Sequence, residues 1–434
     1  MIWGEIKVGA YHAVRRVRRV VVKFGGKSLA DALRIRRAAE AVVREVKKGV
    51  QVAVVVSAIG DTTDQLMQVV EKACRGNVNP KDLDDILSMA ERLSPRIFSA
   101  TLKSLGVKSR YFDPSNDDWP IITDDNFTDA APIIRECCPK IEKSILPLLD
   151  QSIVPVIPGF IGKTADGHVT TLGRGGSDAT AFILGSALKA DEVILVTDVE
   201  GIFTADPKQV RMPRKLQFIE TKRLAALSDQ GAKFIHQKAL KYKDPKINVR
   251  VISYLHVRLD AEGTVIAGDF PKTSIKLVNP DKIMKLTIIS ESLAKNNVFL
   301  NEIGELTADR GIKLHGVSTG DNSITIYISQ NSAENIPNLI HKKIACYKDN
   351  FALAIKKNLL AIKIEGMRLN ETIRVLNKLL DFARANEVKI EGILPTSLGA
   401  ILFIDSKSGE FVRNLLERLM GEINIEGAHP PISC

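Results

Sequence analysis

Short runs of β-branched residues recur between residues 19 and 266, and segments of helical periodicity separate them. The runs at 20–24, 52–56 and 193–196 are almost wholly apolar. A strand that is apolar on both sides must be covered on both faces, and helices between parallel strands provide that cover. The pattern therefore predicts an α/β fold with an open, mainly parallel sheet sandwiched by helices. Two more strands are predicted at 154–157 and 249–252, and helices at 31–48, 62–75 and 81–105.

The chain changes character near residue 270. Four segments there have the order strand, helix, strand, strand, and a second series repeats that order. Two βαββ copies of this size predict two small ferredoxin-like modules that pair side by side. The first series is predicted at 283–292, 295–309, 312–318 and 323–329, and the second at 359–365, 370–386, 388–395 and 399–405, with a final helix at 408–420.

The length of 434 residues exceeds what one hydrophobic core usually supports, so we expect several domains. An N-terminal extension is expected at 1–18 and the α/β domain at 19–270. The two modules are expected at 271–357 and 358–434. Neither module shows a nucleophile–base pair or a metal-ligand spacing. The chain is therefore expected to divide into a catalytic part and a regulatory part.

The composition excludes several functional classes. The net charge of +10 is spread along the chain rather than clustered, so we do not expect nucleic-acid binding. No apolar run approaches the roughly 18 residues of a membrane helix, and the first residues lack the apolar core of a signal peptide. Five cysteines without CxxC or Cys/His ligand spacing are typical of a reduced, cytoplasmic protein with no metal site of its own.

Residues 171–185 contain the strongest candidate for a binding site, with the sequence Thr-Leu-Gly-Arg-Gly-Gly-Ser-Asp-Ala-Thr-Ala-Phe-Ile-Leu-Gly. Its first three glycines allow a ligand to approach the backbone closely, and the free N–H groups at the start of the following helix attract anions. Arg174 adds a planar guanidinium suited to a carboxylate or a phosphate. Ser177 or Asp178 is expected to cap the helix. The segment therefore predicts an anion-binding corner.

Other candidates also follow predicted strands. Lys23 begins the segment Lys-Phe-Gly-Gly-Lys-Ser, which places two glycines between a strand and a helix and so predicts a phosphate-binding turn. The segment 197–208 carries two aspartates, two threonines and a lysine, a set that suits a nucleotide and its cation. Lys233 is a candidate for a second lysine at the phosphates. Taken singly, these residues also fit a structural strand-end lysine, an Asp-Pro turn and a solvated helix lysine.

Three further polar residues are candidates for substrate contacts. Glu91 lies in an otherwise apolar helical stretch and is suited to bind an amine, although a glutamate on a helix usually faces solvent. Ser57 and Thr63 lie just past the second predicted strand. They offer hydroxyl groups at the ligand-binding edge of the sheet, or they cap the next helix.

Taken together, these segments resemble the aspartate kinases of the amino acid kinase family. The resemblance covers roughly residues 19–255 in colinear order, and the βαββ pair is similar to the two ACT modules of that family by pattern. The matching segments are KFGGKS at 23–28, VSAIGDTTD at 56–64, AERLS at 90–94, TLGRGGSDATA at 171–181, TDVEGIFTADP at 197–207 and GAKFIH at 231–236.

The resemblance implies the amino acid kinase fold and the ATP-dependent phosphorylation of L-aspartate on its β-carboxylate. The product would be 4-phospho-L-aspartate, on the route to lysine, threonine and methionine, and Mg²⁺ would be carried mainly by the nucleotide. The implied catalytic residues are Lys23, Gly25, Gly26, Asp178 and Lys233. The implied substrate-binding residues are Ser57, Thr63, Glu91, Arg174 and Ser177. The implied nucleotide-binding residues are Lys23, Gly26, Ser28, Thr197, Asp198, Phe203, Asp206, Lys208 and Lys233.

The resemblance also implies a homodimer or higher homo-oligomer formed through the ACT-like modules, with lysine or threonine as an effector. Three positions depart from the family pattern. Lys27 replaces a threonine, Phe203 replaces a common tyrosine, and the segment 291–298 lacks the glycine usual at that strand–helix turn. The last departure bears on feedback inhibition more than on catalysis.

Two alternatives compete with this interpretation. The first is a related kinase for N-acetylglutamate or a similar acidic amino acid, but a blocked amine would not need Glu91. The second is an amino-acid sensor that keeps the fold without catalysis, which Lys27 and the altered turn favour. The presence of both lysines, Lys23 and Lys233, together with Asp178 and Arg174 favours an active kinase.

Overall fold

The structure is a computed structural model in which the chain forms two compact units that divide between Phe270 and Pro271. No helix in the part of the chain that it describes is both long enough and apolar enough to cross a membrane. The described residues are 17–228, 235–256, 258–290, 297–331, 333, 335–345, 351–366 and 369–408.

The first unit is built on one large sheet in which the predicted central strands are present and nearly fully buried. Its strands are β1 (Arg19–Phe24), β2 (Gln51–Val56), β3 (Ser109–Tyr111), β4 (Val154–Pro158), β7 (Glu192–Thr197), β8 (Phe218–Glu220), β9 (Asn248–Ser253) and β10 (Thr264–Ala267), while β5 (Ile161–Lys163) and β6 (Val169–Thr171) form a separate hairpin. The order in the sheet is β3-β4-β2-β1-β7-β9-β10-β8, and only β9 and β10 pair in antiparallel fashion. The short strands β3, β8 and β10 were not predicted, because three or four residues carry too little periodicity.

Helices cover the sheet of the first unit. Asp31 and Asn79 cap two of them, because their side chains accept hydrogen bonds from the backbone N–H groups of Arg34 and Lys81. The helices are α1 (Ala32–Lys47), α2 (Thr62–Cys74), α3 (Pro80–Ser104), α4 (Ile134–Ser144), α5 (Leu146–Asp150), α6 (Gly176–Ala187), α7 (Thr221–Ser228) and α8 (Gln237–Leu240). Nearly every residue of α6 is buried, as expected for a helix that is apolar on all sides.

The parallel register determines where the site lies. Phe24 at the end of β1 pairs with Val56 of β2 on one side and with Val196 of β7 on the other. Val56 in turn pairs with Pro158 of β4. The segments that follow these four strands therefore leave the sheet at one edge, where open α/β sheets bind their ligands.

The second unit contains both βαββ series in one continuous antiparallel sheet. The order is β12-β13-β11-β14-β16-β15, so the two series join through their first strands β11 and β14. Its strands are β11 (Ser274–Ile289), β12 (Leu314–Gly320), β13 (Ser323–Ser329), β14 (Ala352–Glu365), β15 (Ile390–Thr396) and β16 (Gly399–Asp405), and its helices are α9 (Asn297–Ala308), α10 (Ile336–Ile344) and α11 (Leu369–Ala385).

Three details of the second unit differ from the sequence predictions. Strands β11 and β14 begin well before the predicted starts at 283 and 359, and the predicted boundary at 357/358 falls inside β14. Helix α10 was not predicted. The expected helix at 408–420 lies, except for its first residue, outside the described residues.

A buried carboxylate on α3 connects that helix to the strand that leads into the glycine-rich corner. Asp84 is fully buried, and its Oδ2 accepts hydrogen bonds from the backbone N–H groups of Thr128 and Thr171, both at 2.9 Å. Its Oδ1 accepts a third bond from the Thr171 hydroxyl at 2.6 Å. Asp84 therefore helps to fix the position of β6, which ends two residues before Gly173.

We predict that Asp84→Ala lowers the free energy of unfolding of the first unit by about 3 kcal/mol, because three donors, two of them on the buried Thr171, lose their acceptor. Urea unfolding followed by tryptophan fluorescence measures this change, since Trp119 is buried in the first unit. The neighbouring Asp85→Ala serves as the matched control, because Asp85 is exposed. Equal stability of the two variants would contradict the role of Asp84.

Candidate functional site

A cleft of about 350 Å³ opens at the edge of the sheet where the central strands end. It collects residues from β1, from α3, from the segments that follow β2 and β4, and from the start of α6. The predicted site residues that line it are Lys23, Gly26, Ser57, Thr63, Glu91, Arg174, Ser177 and Asp178. The other lining residues are Ala58, Gly60, Phe160, Gly173, Gly175 and Gly176.

An ion pair lies at the base of this cleft. The Nζ atom of Lys23, in β1, is 2.7 Å from Oδ1 of Asp178, in the first turn of α6, and the two side chains are only 16% and 14% exposed. The same two residues line a second, smaller cavity of about 70 Å³, which Thr197 and Asp198 also border. Lys23 therefore stands between two cavities and can present its positive charge to a group bound in either one.

Glu91 is the buried acidic group of the cleft. Its side chain, on α3, belongs to a residue that is only 4% exposed, and its Oε2 has no hydrogen-bond partner among the described residues. Burial raises the pKa of Glu91 to about 8, although the backbone N–H of Ala58 and the charge of Lys23 act in the opposite direction. At neutral pH the carboxyl group is therefore mainly protonated.

The glycine-rich corner departs from the prediction at its helix cap. Gly175 occupies the N-cap position with a φ of +79°, and no side chain caps the helix. The prediction that Ser177 or Asp178 caps α6 is wrong because both side chains face the cleft. The Asp178 carboxylate pairs with Lys23, and the Ser177 hydroxyl accepts a hydrogen bond of 3.0 Å from Ser57. A glycine is required at 175, since a left-handed residue with a Cβ is strained.

Arg174 offers a free cation to the cleft. Its side chain is exposed, and no carboxylate in the described part of the chain forms an ion pair with it. Arg174 and Glu91 thus give one cleft a guanidinium and a buried carboxyl group. This combination is suited to a small molecule that carries both an anionic and a cationic group.

Two predicted site residues make structural contacts in the turn after β1. The N–H of Gly25 donates to the carbonyl of Val196 at 3.1 Å, and the hydroxyl of Ser28 donates to the same carbonyl at 3.2 Å. These bonds hold the turn against the end of β7. Gly25 and Ser28 thus have a structural role here, and their catalytic and nucleotide-binding roles stay predictions.

Only some of the remaining predicted nucleotide-binding residues border a cavity. Thr197 and Asp198 border the smaller cavity. Phe203, Asp206 and Lys208 line neither that cavity nor the cleft, and Oδ1 of Asp206 accepts a local hydrogen bond from the Lys208 N–H. Lys233 lies outside the described residues.

Sequence reasoning missed one large side chain of the cleft, Phe160. It follows β4 and has a φ of +68°, a conformation that non-glycine residues adopt rarely and that clusters at functional sites. The preceding Gly159 leaves no space for a side chain, because a Cβ there would lie 2.6 Å from the Cβ of Ser177. The available signal was the position of the Gly-Phe pair directly after a buried strand.

Comparison with known proteins gives consistent results. The model of the amino acid kinase family matches residues 18–253. The aspartokinase of Mycolicibacterium smegmatis is 33% identical over 350 residues, which are 80% of this chain and 78% of that protein. The aspartokinase of Mycobacterium tuberculosis strain H37Rv is 39% identical over 253 residues, so the chain spans only 57% of the length of that relative.

Solved structures are similar in fold. The aspartate kinase from Synechocystis has a TM-score of 0.73 at 22% identity, over 93% of this chain and 69% of that one. Aspartokinase III of E. coli, in complex with aspartate and ADP, has a TM-score of 0.53 at 23% identity, over 91% of this chain and 98% of that one. The predicted fold class, an α/β domain followed by two ACT-like modules, is confirmed.

We predict that Glu91→Gln removes a pH-dependent loss of stability. Because the folded-state pKa of Glu91 lies above the ordinary value of 4.5, the folded chain binds the extra proton and loses stability as pH rises from 4.5 to 8. Relative to the unaltered chain, the variant gains about 2–4 kcal/mol between about pH 5.5 and about pH 8.5, measured by urea unfolding. Glu142→Gln, at an exposed position of α4, is the matched control. An identical pH dependence of both variants would rule out the raised pKa.

Proposed function

The chain belongs to the amino acid kinase family and, within it, to the aspartokinases, and we propose that it phosphorylates L-aspartate at the expense of ATP. An oxygen of the aspartate β-carboxylate attacks the γ-phosphorus, the bond to the ADP oxygen breaks, and 4-phospho-L-aspartate and ADP form. The observation that carries the proposal is the cleft that combines Arg174, the buried Glu91 and the Lys23–Asp178 ion pair.

The substrate is held by its α-carboxylate and its α-ammonium group. The Arg174 guanidinium binds the α-carboxylate through paired hydrogen bonds, and Glu91 binds the α-ammonium. The hydroxyl groups of Ser57, Thr63 and Ser177 line the same cleft and complete the pocket. A bound ammonium supplies the partner that the buried Oε2 of Glu91 lacks. A substrate with a blocked amine, such as N-acetylglutamate, would leave Glu91 buried without that partner.

The phosphoryl group is stabilised mainly by positive charge. Lys23 neutralises the charge that develops on the transferring group, and Asp178 orients the Lys23 ammonium. The packing of the turn requires a glycine at 26, since a Cβ there would lie 2.9 Å from the carbonyl oxygen of Gly60, and we assign the Gly26 N–H to the phosphoryl oxygens from the family pattern. No general base is required, because the β-carboxylate is already ionised at neutral pH. We assign Lys233 as a second lysine at the phosphates from the family pattern alone.

The nucleotide occupies the side of Lys23 that faces Thr197 and Asp198. The loop that follows, with Phe203, Asp206 and Lys208, is assigned to the nucleotide site from the family pattern. Mg²⁺ is carried mainly by the nucleotide and supplies further neutralisation of the phosphates. The aspartokinase III structure with aspartate and ADP supports the pairing of these two ligands in one relative.

The proposal extends to assembly and control. We assign the second unit as a pair of ACT-like modules through which the chain forms a homodimer or higher homo-oligomer. Lysine or threonine is the proposed effector, and an E. coli relative has been solved in complex with lysine and aspartate. We also propose a cytoplasmic location, where ATP is available as a substrate.

A coupled assay of ADP release tests the reaction. We expect turnover with L-aspartate and none above background with L-glutamate or N-acetyl-L-glutamate. Repeating the assay with lysine and with threonine tests the effector assignment separately. Absence of ADP release with aspartate under all conditions would refute the proposed function.

We predict that Arg174→Ala raises the KM for aspartate at least tenfold, because the α-carboxylate loses its paired hydrogen bonds. The affinity for MgATP, measured by calorimetry, is expected to stay within about twofold, because Arg174 serves the substrate and not the nucleotide. Arg135→Ala is the matched control, since Arg135 is an exposed arginine of α4 that lines neither cavity. An unchanged KM for aspartate would remove the assignment of Arg174.

A further inference from the structure

An ion pair joins the two loops that flank Lys23. The Nζ atom of Lys27, in the turn after β1, lies 2.6 Å from Oδ2 of Asp198, in the loop after β7. The hydrogen bond between them raises the pKa of Lys27 and lowers the pKa of Asp198, so both groups are charged at neutral pH. Since Asp198 borders the smaller cavity with Lys23, the pair lies beside the proposed nucleotide site.

Hydrogen bonds fix the backbone of Lys27, whereas its side chain is largely exposed to solvent. The Lys27 carbonyl accepts a hydrogen bond of 2.7 Å from the guanidinium of Arg34, which stacks on the ring of Tyr254 and also pairs with Asp31. The N–H of Gly60 donates to the neighbouring carbonyl of Gly26 at 3.2 Å. Any change of partner by Lys27 therefore requires rotation of its side chain and no change in the turn.

The Lys27–Asp198 pair is easy to exchange. The two side chains are 71% and 39% exposed, and ion pairs with that much solvent contact contribute little to stability. A polyphosphate carries more negative charge than one carboxylate and offers several acceptor oxygens to an ammonium group. A bound polyphosphate would therefore compete with Asp198 for the ammonium of Lys27.

We propose that Lys27 is a nucleotide-binding residue that changes partner, pairing with Asp198 before the nucleotide binds and with the phosphate oxygens of a bound nucleoside triphosphate. The proposal rests on the nucleotide site assigned in the proposed function. Lys27 stands where the family pattern has threonine. A threonine side chain is uncharged, so it could neither form an ion pair with Asp198 nor add a positive charge at the phosphates. The role thus has no counterpart in the family pattern.

Calorimetric binding of MgATP to the full chain tests the exchange. The variants are Lys27→Met, Lys27→Arg, Asp198→Asn and the double variant Lys27→Met/Asp198→Asn, each measured at low and at high ionic strength. Lys48→Met is the matched control, because Lys48 is also an exposed lysine in an ion pair but precedes β2, at the opposite edge of the sheet. Thermal unfolding of each variant verifies that it is folded.

We expect Lys27→Met to weaken MgATP binding about tenfold at low ionic strength and less at high ionic strength, where salt screens the contact. Lys27→Arg restores most of the affinity because it keeps the charge and the reach. The same loss is expected when Lys27→Met is introduced into the Asp198→Asn variant, since the lost contact is with the nucleotide. Lys48→Met binds MgATP as the unaltered chain does.

Two results would overturn the inference alone. In one, Lys27→Met binds MgATP normally. In the other, the loss disappears when Asp198 is also replaced, which would mean that Lys27 only neutralises Asp198. If the unaltered chain binds no MgATP, both this inference and the proposed function fall. Binding of MgATP without phosphorylation of aspartate would refute the proposed function and leave the role of Lys27 standing.

Discussion

The partly buried ion pair between Lys23 and Asp178 connects the two halves of the site. It ties the central strand of the sheet to the first turn of α6 at a distance of 2.7 Å. Removing two charges from water is costly, so such a pair persists only when the surrounding structure holds both partners in place. Here the parallel register of β1 holds Lys23, and the glycine-rich corner holds Asp178. Both partners of this ion pair line the cleft and the smaller cavity, so the pair is common to the two.

The sequence allowed the general position of the site to be predicted, because polar residues after buried parallel strands must meet at one edge. The hydrogen-bond partners and the burial of individual site residues could not be predicted from the sequence. The amide of Gly25 and the hydroxyl of Ser28 both bond to Val196, a contact between residues more than 160 positions apart. The burial of Glu91 depends on which face of α3 meets the segment after β2. Such facts depend on tertiary packing, which periodicity does not contain.

In the second unit, too, the sequence predicts local elements but not the contacts between distant segments. Repetition of the βαββ pattern predicted two modules, and the structure has both. It also joins them into one sheet through β11 and β14, whose long antiparallel register runs from Ser274 to Ile289. Each series buries its own helix-side core, with Leu306 and Ile340 in one and Val375 and Leu379 in the other. The local hydrophobic pattern predicts each core. The pairing of β11 with β14 joins segments that are distant in the sequence, and hydrophobic periodicity carries no information about it.

The raised pKa of Glu91 has a consequence for the charge balance of the occupied cleft. The carboxyl group of Glu91 is mainly protonated, and so mainly neutral, at pH 7. Under the proposed function, the substrate ammonium replaces that proton, so one positive charge arrives as another departs. Occupancy by the amino group then leaves the net charge around Lys23 unchanged. The amino group of the substrate therefore adds no net charge to the cleft, and the released proton goes to the solvent.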